Sequence, residues 1–159
     1  MKPTIRDARP DDLAFIIRGN TEMARETEGV SLDPALVGPG CRAVLQDPAL
    51  GRYFIAELGS RPAGQLMLTY EWSDWRNGVF WWIQSVYVER SFRSQGVFSG
   101  LFRHVLEQAR SRPEVCGLRL YHDRGNERAR RIYGHLGLHT ANYDVMESVF
   151  RGPASHQET

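Results

Sequence analysis

The sequence contains only two cysteines in 159 residues, and they are far apart. Cys41 and Cys116 form no Cys-x-x-Cys spacing, so two reduced thiols are expected rather than a disulfide or a thiolate metal site. Among the five histidines, only His104 has an acidic neighbour, Glu107, on the same face of a predicted helix. Since two ligands are too few to hold an ion, no metal is expected.

The sequence also lacks a long apolar segment. No apolar run approaches the roughly 18 to 20 residues that a membrane-spanning helix needs, and residues 1–6 lack the apolar core of a secretory signal. We therefore expect a cytoplasmic protein without a membrane partner. The length suits one domain with a buried core. That domain is predicted over residues 1–151, and the polar residues 152–159 are predicted to form a disordered tail.

Lysine is nearly absent, and the basic charge is unevenly placed along the chain. Residues 90–131 carry ten basic and four acidic groups, whereas residues 1–89 carry nine basic and twelve acidic groups. A concentrated basic field attracts a ligand with several phosphates, and arginine matches the geometry of phosphate oxygens. The rest of the chain is acidic and contains no nucleic-acid-binding motif, so no nucleic-acid partner is expected.

Hydrophobic periodicity and turn residues predict alternating strands and helices. A first strand is predicted at residues 4–8, and two helices follow it, the second beginning at Pro34 after the capping residue Asp33. A glutamate-rich loop is expected between these two helices. The pattern next predicts three strands, a helix, a strand, a further helix and a last strand, at residues 53–57, 65–72, 79–88, 98–109, 118–121, 129–136 and 142–150. Such an order is typical of a mixed α/β domain.

A turn at residues 93–97, with the sequence Arg-Ser-Gln-Gly-Val, joins the strand that ends at Val88 to the following helix. Backbone N–H groups in the first turn of a helix have no intrahelical partner and lie at the positive end of the helix dipole, where a phosphate is attracted. Gly96 allows a ligand to approach the backbone closely. The turn therefore predicts an anion-binding site.

A second motif follows about thirty residues later, with Asn126, Ala129, Tyr133, Gly137 and Leu138 at fixed spacing. Together the two segments resemble motifs A and B of the GNAT superfamily of acetyl-CoA-dependent N-acetyltransferases. Two such motifs in the family's order are more specific than either motif alone.

The turn of motif A is written Gln/Arg-x-x-Gly-x-Gly/Ala in the family. Arg93, Gly96 and Phe98 occupy its three fixed places in this chain, and Phe98 departs from the family by replacing a small residue. In motif B the Asn of the family contacts the cofactor, and the Tyr lies near its sulfur.

The resemblance implies the GNAT fold, an α/β (α+β mixed) single domain with a mixed central β-sheet, a splayed central strand and helices on both faces. It also implies transfer of an acetyl group from acetyl-CoA to a primary amine by direct attack. Tyr133 is implied as the general acid, and the backbone N–H of Val86 as the oxyanion donor. The residues implied to bind the cofactor are Val86, Val88, Arg93, Ser94, Gln95, Gly96, Val97, Phe98, Ser99, Asn126, Ala129 and Tyr133.

The general base is the least defined part of the predicted site. Many family members carry a Glu where this chain has Gln84 and Ser85, and Gln84 cannot accept a proton. The remaining candidates are two carboxylates at the end of the preceding strand, Glu71 and Asp74, and three from the loop after the first helix, acting directly or through water, Glu22, Glu26 and Glu28. We rank Glu71 first. Carboxylates and indole rings also suit a cationic amine. The residues expected on the acceptor side are Glu22, Glu26, Glu28, Trp72, Asp74 and Gln84.

Two alternatives stay open at the level of sequence. Gln84 at the usual carboxylate place favours an inactive acyl-CoA-binding sensor domain, and a transferase that uses a longer acyl group is equally compatible with the motifs. The expected partner is a small-molecule or peptide amine, and a homodimer is an expectation from the family.

Overall fold

The structure is a computed structural model that describes residues 2–151. Its strands and helices are β1 (Thr4–Asp7), α1 (Leu13–Glu28), α2 (Pro34–Gln46), β2 (Arg52–Leu58), β3 (Arg61–Ser73), β4 (Gly78–Val88), α3 (Val97–Arg110), β5 (Val115–Leu120) and α4 (Glu127–His135). Short 3-10 helices precede α1 and α3. The order of elements through α4 is the predicted one.

The five strands form one mixed sheet in the order β1-β2-β3-β4-β5. The β4–β5 pair is parallel and the other pairs are antiparallel. The parallel ladder ends where Ile83 faces Leu120, yet β4 continues to Val88. Residues 84–88 therefore pair with β3 on one side and leave the β5 side open. The predicted splay of the central strand is confirmed.

A β-bulge interrupts β4 close to this open end. Gln65 of β3 faces Tyr87, and Met67 faces Gln84, so the stretch of β4 between these pairs is one residue longer than the facing stretch of β3. Ser85 in the longer stretch has a φ of 50°. A residue other than glycine reaches this left-handed region at a cost of about 1–3 kcal/mol. The surroundings must therefore hold the bulge in place.

Helices cover both faces of the sheet. The larger core lies under α3, where Phe102 is fully buried and packs with Phe54 of β2. Tyr133 of α4 packs against the same core. A smaller core around Ile16 and Ile55 lies under α1 and α2 on the opposite face. Both predicted motifs therefore come together on the α3 face, beside the splay.

The predicted glutamate-rich loop between the first two helices is wrong, because α1 continues through this region. The helix ends only at Gly29, whose φ of 65° is typical of a residue that terminates a helix. Glu22 and Glu26 therefore project from the last turns of a rigid element rather than from a loop. Charged residues favour a loop by composition, but they also fit the exposed side of an amphipathic helix.

The predicted last strand, residues 142–150, is also wrong. This segment joins no sheet within the described chain, and its apolar side chains are exposed, with Met146 at 95% and Phe150 at 91%. Local residue pattern gives strand propensity, but a strand also needs a partner edge. The predicted tail, residues 152–159, lies outside the described residues. No helix between residues 2 and 151 has both the length and the apolarity to cross a membrane.

Candidate active site

The N-terminus of α3 presents a row of free backbone N–H groups. Within the described chain, none of the N–H groups of residues 94–99 donates to a protein acceptor. Gly96 caps the helix with a φ of 79°, and a Cβ placed on it would have no other described atom within 4 Å. An anion can therefore approach the turn closely, with the positive end of the helix dipole behind it. Ser94, Gln95, Val97 and Ser99 offer these contacts through the backbone.

The Arg93 side chain turns towards α1. Its Nε donates to the carbonyl oxygen of Val88 at 3.0 Å, and its Nη2 donates to Glu26 at 2.7 Å. Arg90 donates to the other oxygen of the same carboxylate at 2.8 Å. Hydrogen bonds from Arg90 and Arg93 lower the pKa of Glu26. One carboxylate thus bridges two arginines of the basic block, which leaves the backbone N–H groups as the most accessible anion contacts of the turn.

At the open end of β4, Val86 and Val88 have no partner strand on the β5 side, although the carbonyl oxygen of Val88 already accepts a hydrogen bond from Arg93. The N–H of Glu89 donates to Ala63 of β3 at 2.9 Å, and Tyr87 belongs to the same ladder. Backbone groups alternate in direction along a strand. Those of Val88 therefore point towards the side that β5 has left, and Val86, in the bulged stretch, lies beside the same open side. An extended ligand can add there as a further strand.

Tyr133 is half-buried among three aromatic rings. Its ring centroid lies 5.9 Å from that of Phe98, 6.3 Å from that of Phe102 and 6.4 Å from that of His122. Burial raises the pKa of the Tyr133 phenol, so the group keeps its proton at neutral pH and can donate it. Phe98, which stands where the family has a small residue, forms one wall of this environment.

Asn126 forms the N-cap of α4. Its Oδ1 accepts a hydrogen bond from the N–H of Ala129 at 3.0 Å. The cap fixes the start of the helix that carries Tyr133. Because the cap uses the oxygen of the amide, the Nδ2 group remains a donor for a ligand, and the capping and cofactor-binding interpretations are compatible.

A buried polar network behind the bulge was missed by the sequence analysis. Gln65 is fully buried, and its Nε2 donates to Oδ1 of Asn20 at 2.7 Å while lying 3.5 Å from the carbonyl oxygen of Ser85. Its Oε1 has no hydrogen-bond partner in the described chain. Gly19 leaves the necessary space, since a Cβ there would lie 2.5 Å from this oxygen. One polar residue within the otherwise apolar stretch 63–68 was the available signal.

Gln84 lies at the start of the open end, at the place where the family often has a Glu. Its Nε2 donates to Oγ1 of Thr69 at 2.6 Å. This hydrogen bond orients the amide and leaves Oε1 as an acceptor, so Gln84 can bind an ammonium group or a water without taking a proton.

Glu71, the first-ranked base, lies far from this open end. It faces Phe80, six residues before Val86, which corresponds to about 20 Å along a strand. Its carboxylate accepts hydrogen bonds from the Trp82 indole at 2.9 Å and from Arg119 at 2.7 Å. These two donors lower the pKa of Glu71. The geometry therefore argues against Glu71 as the direct base. Its carboxylate orients the Trp82 indole instead.

Trp72 and Asp74 are also distant from the open end. Trp72 faces Val79, and Asp74 lies in the turn of the β3–β4 hairpin. Trp72 is 64% exposed. Trp72 and Asp74 are not adjacent to Gln84, because Gln84 faces Met67, which lies five residues before Trp72 on β3.

The glutamates of α1 lie nearer to the open end. Burial first, and then the negative charges of Glu89, Glu26 and Glu22, raise the pKa of Tyr87 in β4. Glu28 is exposed at the end of the helix. Within residues 2–151, no three His, Cys, Asp or Glu side chains converge as metal ligands.

The sequence matches the model of the Acetyltransferase (GNAT) family over residues 20–138. The matched region includes the open end of β4, the N-terminus of α3 and the whole of α4. The protein therefore belongs to the GNAT acetyltransferase family, as the two motifs indicated. No curated protein matches the sequence.

Solved structures agree with this assignment. A possible acetyltransferase from Clostridium difficile 630 is 38% identical, with a TM-score of 0.89 over 95% of this chain and 99% of that chain. A predicted acetyltransferase from Clostridium acetobutylicum, solved with acetyl-CoA, is 15% identical, with a TM-score of 0.72 over 92% of this chain and 96% of that one. A transcriptional regulator from Bacillus halodurans C-125 is 22% identical, with a TM-score of 0.76 over 93% and 99%. The last two similarities show the fold alone.

The donors present fit acetyl-CoA. The free N–H groups of residues 94–99 and the open space at Gly96 suit a diphosphate. The N–H groups of Val86 and Val88, which belong to the stretch of β4 without a partner strand on the β5 side, suit an extended arm that carries amides. These two features lie at successive positions of the chain, because the turn follows β4 directly.

Proposed function

We propose that the protein transfers an acetyl group from acetyl-CoA to a primary amine by direct attack of the amine. The observation that carries this proposal is the open end of β4, which leads directly into the free N-terminus of α3. A second element, α4, brings a protonated phenol to the same face of the sheet.

When bound, acetyl-CoA supplies a thioester, whose acetyl carbon forms a bond to the amine nitrogen as its bond to sulfur breaks. The N–H of Val86, in the stretch of β4 without a partner strand on the β5 side, is the proposed donor to the developing oxyanion. Tyr133 holds a proton on its hydroxyl oxygen and can deliver it to the departing thiolate. No covalent enzyme intermediate is needed.

The amine must lose a proton before it attacks, because a free alkyl ammonium has a pKa of about 10.4. Gln84 can hold the amine or a water through Oε1 but cannot accept the proton. Among the remaining candidates, Glu22 and Glu26 lie nearer to the open end than Glu71 does. Since Glu26 pairs with Arg90 and Arg93, and Glu22 pairs with Arg25, we infer that the proton leaves through water to the solvent beside α1.

A second candidate function is an acyl-CoA-binding domain without turnover. The amide of Gln84 at the place of the usual carboxylate favours it. The protonated phenol of Tyr133 at the other side of the site has no evident use in such a domain.

The test measures thiol release from acetyl-CoA with a panel of small amines and peptides, for the wild type, Gly96→Glu and Tyr133→Phe. We expect turnover in the wild type, loss of CoA binding in Gly96→Glu, and a lower rate with intact CoA binding in Tyr133→Phe. CoA binding with no turnover on any amine would favour the non-catalytic domain. Absence of CoA binding would contradict both candidate functions.

A further inference from the structure

Two aromatic rings lie where β4 and β5 separate, on the face of the sheet that α1 and α2 cover. Tyr121 follows the last residue of β5, and its ring centroid lies 4.6 Å from that of Trp82. Tyr121 is 62% exposed. The packing of α1 and α2 is with β2, β3 and β4. The surface in front of the aromatic pair, above the open end of the ladder, is therefore accessible to a ligand.

The Trp82 indole of this pair is held in one orientation by neighbouring side chains. Trp82 donates from Nε1 to Glu71 at 2.9 Å, and Arg119 donates to the same carboxylate oxygen at 2.7 Å. The guanidinium of Arg119 in turn lies 3.7 Å from the ring centroid of Phe80. Because each group is held by the next, the indole orientation is set before a ligand arrives, which lowers the entropic cost of binding.

The charges around the Trp82–Tyr121 pair disfavour an acceptor that carries a second ammonium group besides the reacting amine. Glu71 is already paired with Arg119, and Arg76 lies 5.2 Å from the Phe80 ring on the same face. A ligand at the rings thus meets two guanidinium groups and a neutralised carboxylate. A flat apolar group is compatible with this surface, whereas the distal ammonium of a diamine is repelled.

The spacing between the rings and the reacting centre limits the length of the ligand. Tyr121 lies one residue beyond the last ladder pair, which places it level with Gln84. Gln84 precedes Val86 by two residues, and this separation corresponds to about 7 Å along a strand. An amine that attacks a thioester held at the N–H of Val86 therefore reaches the Tyr121 ring through a short linker.

We propose that Trp82 and Tyr121 bind the acceptor and that this acceptor is a monoamine joined by a short linker to an aromatic ring. The proposal rests on the proposed acetyl transfer, because the position of the amine is defined by Val86. Offset stacking on the two rings provides the recognition, and Glu71 acts as a positioning residue through the indole.

Three primary amines test the proposal with acetyl-CoA as donor: 2-phenylethylamine, with an aromatic ring on a two-carbon linker, butylamine, with an apolar four-carbon chain, and 1,4-diaminobutane, with a second ammonium group. We expect kcat/KM to be about three- to tenfold higher for 2-phenylethylamine than for butylamine, and lowest for the diamine. Tyr121→Ala should remove the aromatic advantage by lowering kcat/KM for 2-phenylethylamine several times more than for butylamine. The matched control is Trp75→Ala, since Trp75 is 87% exposed in the β3–β4 turn and remote from the splay.

Binding is also measured without turnover, by following the indole N–H signals in a nitrogen-15 NMR titration of the CoA-bound protein with 2-phenylethylamine. The Trp82 signal, assigned through Trp82→Phe, should shift. A shift without thiol release for any amine would support the aromatic site and contradict the acetyl transfer. Preference for 1,4-diaminobutane, no shift of the Trp82 signal, or equal effects of Tyr121→Ala and Trp75→Ala would overturn the proposal.

Discussion

Replacing Gln65 by Met tests whether the buried amide positions the bulge of β4. The two side chains are close in length, so Gln65→Met removes the polar atoms and nearly preserves the packing. The substitution abolishes the 2.7 Å hydrogen bond to Asn20 and the 3.5 Å approach to the Ser85 carbonyl. It also removes the buried Oε1, which has no partner in the described chain.

The expected change in stability is small because two terms oppose each other. Removing a buried amide oxygen without a partner relieves a penalty of about 1–3 kcal/mol. Leaving Oδ1 of Asn20 without its donor costs a similar amount, about 1–3 kcal/mol. We therefore expect the free energy of unfolding to change by less than about 1.5 kcal/mol, which corresponds to a few degrees in Tm at this chain length.

The expected change in catalysis is larger. Ser85 keeps its φ of 50° only while its surroundings offset the local strain. Without the amide behind it, the bulge can relax, and the N–H of Val86 then moves relative to the substrate. A misplacement of about 1 Å, or loss of one oxyanion donor, lowers rates by roughly a hundredfold. We expect kcat to fall between about tenfold and a hundredfold, with the Kd for CoA within twofold of the wild type.

The assay compares kcat, the Kd for CoA and Tm for Gln65→Met, Gly19→Ala and Tyr53→Phe. Gly19→Ala crowds Oε1 from α1 and should show the same selective loss of kcat. Tyr53→Phe removes a hydroxyl that lies 3.2 Å from Asn20 and close to the Ser85 side chain, and it should lower kcat less than Gln65→Met does because the buried amide stays in place. An unchanged kcat in Gln65→Met, or a loss of kcat no larger than in Tyr53→Phe, would refute the positioning role.

Three further predictions concern the remaining parts of the site. Gly96→Ala should lower the free energy of unfolding by about 1 kcal/mol, because residue 96 has a positive φ, and should weaken CoA binding. The control is Gly40→Ala in α2, which should leave stability unchanged or raise it. Thermal melts and CoA titrations compare the two variants, and equal effects would contradict the role of the turn. Glu26→Gln releases two arginines and should tighten CoA binding at low salt more than at high salt, with the exposed Glu28→Gln as control. Burial raises the pKa of Tyr133, so its proton is retained until the pH exceeds the ordinary phenol value of about 10, and Tyr133→Phe should lower kcat at least about a hundredfold at every pH below that value. If the wild type and Tyr133→Phe have the same kcat well below pH 10, this assignment is contradicted.

The parts of the fold that depend on local pattern were predictable. The apolar run before Val88 and the helical spacing after Gly96 define β4 and α3, and their connection forms the anion-binding turn. Tyr133 and its capping residue Asn126 were predictable for the same reason, because cap and phenol lie within one short helix.

The parts that depend on distant partners were not predictable. Glu71 was ranked as a base from its place at the end of the predicted strand 65–72, whereas in the structure Arg119, which lies 48 residues away, donates a hydrogen bond to it. The segment 142–150 has the composition of a strand, but pairing is a property of the whole sheet. Gln65 was assigned correctly to a strand, yet its function depends on Asn20, which lies 45 residues away.

Helix α4 carries the proposed acid, yet it spans nine residues and none of them is fully buried. Isolated helices of this length are marginal in water, so α4 depends on a few contacts such as the edge-on packing of Tyr133 against Phe98. Local opening of α4 should therefore require less free energy than global unfolding. Its amide hydrogens should exchange with solvent faster than those of α3, which contains five buried residues. On heating, the protein should thus lose activity at a lower temperature than the one at which the sheet unfolds. A ligand that binds Asn126 should reduce the difference between these two temperatures.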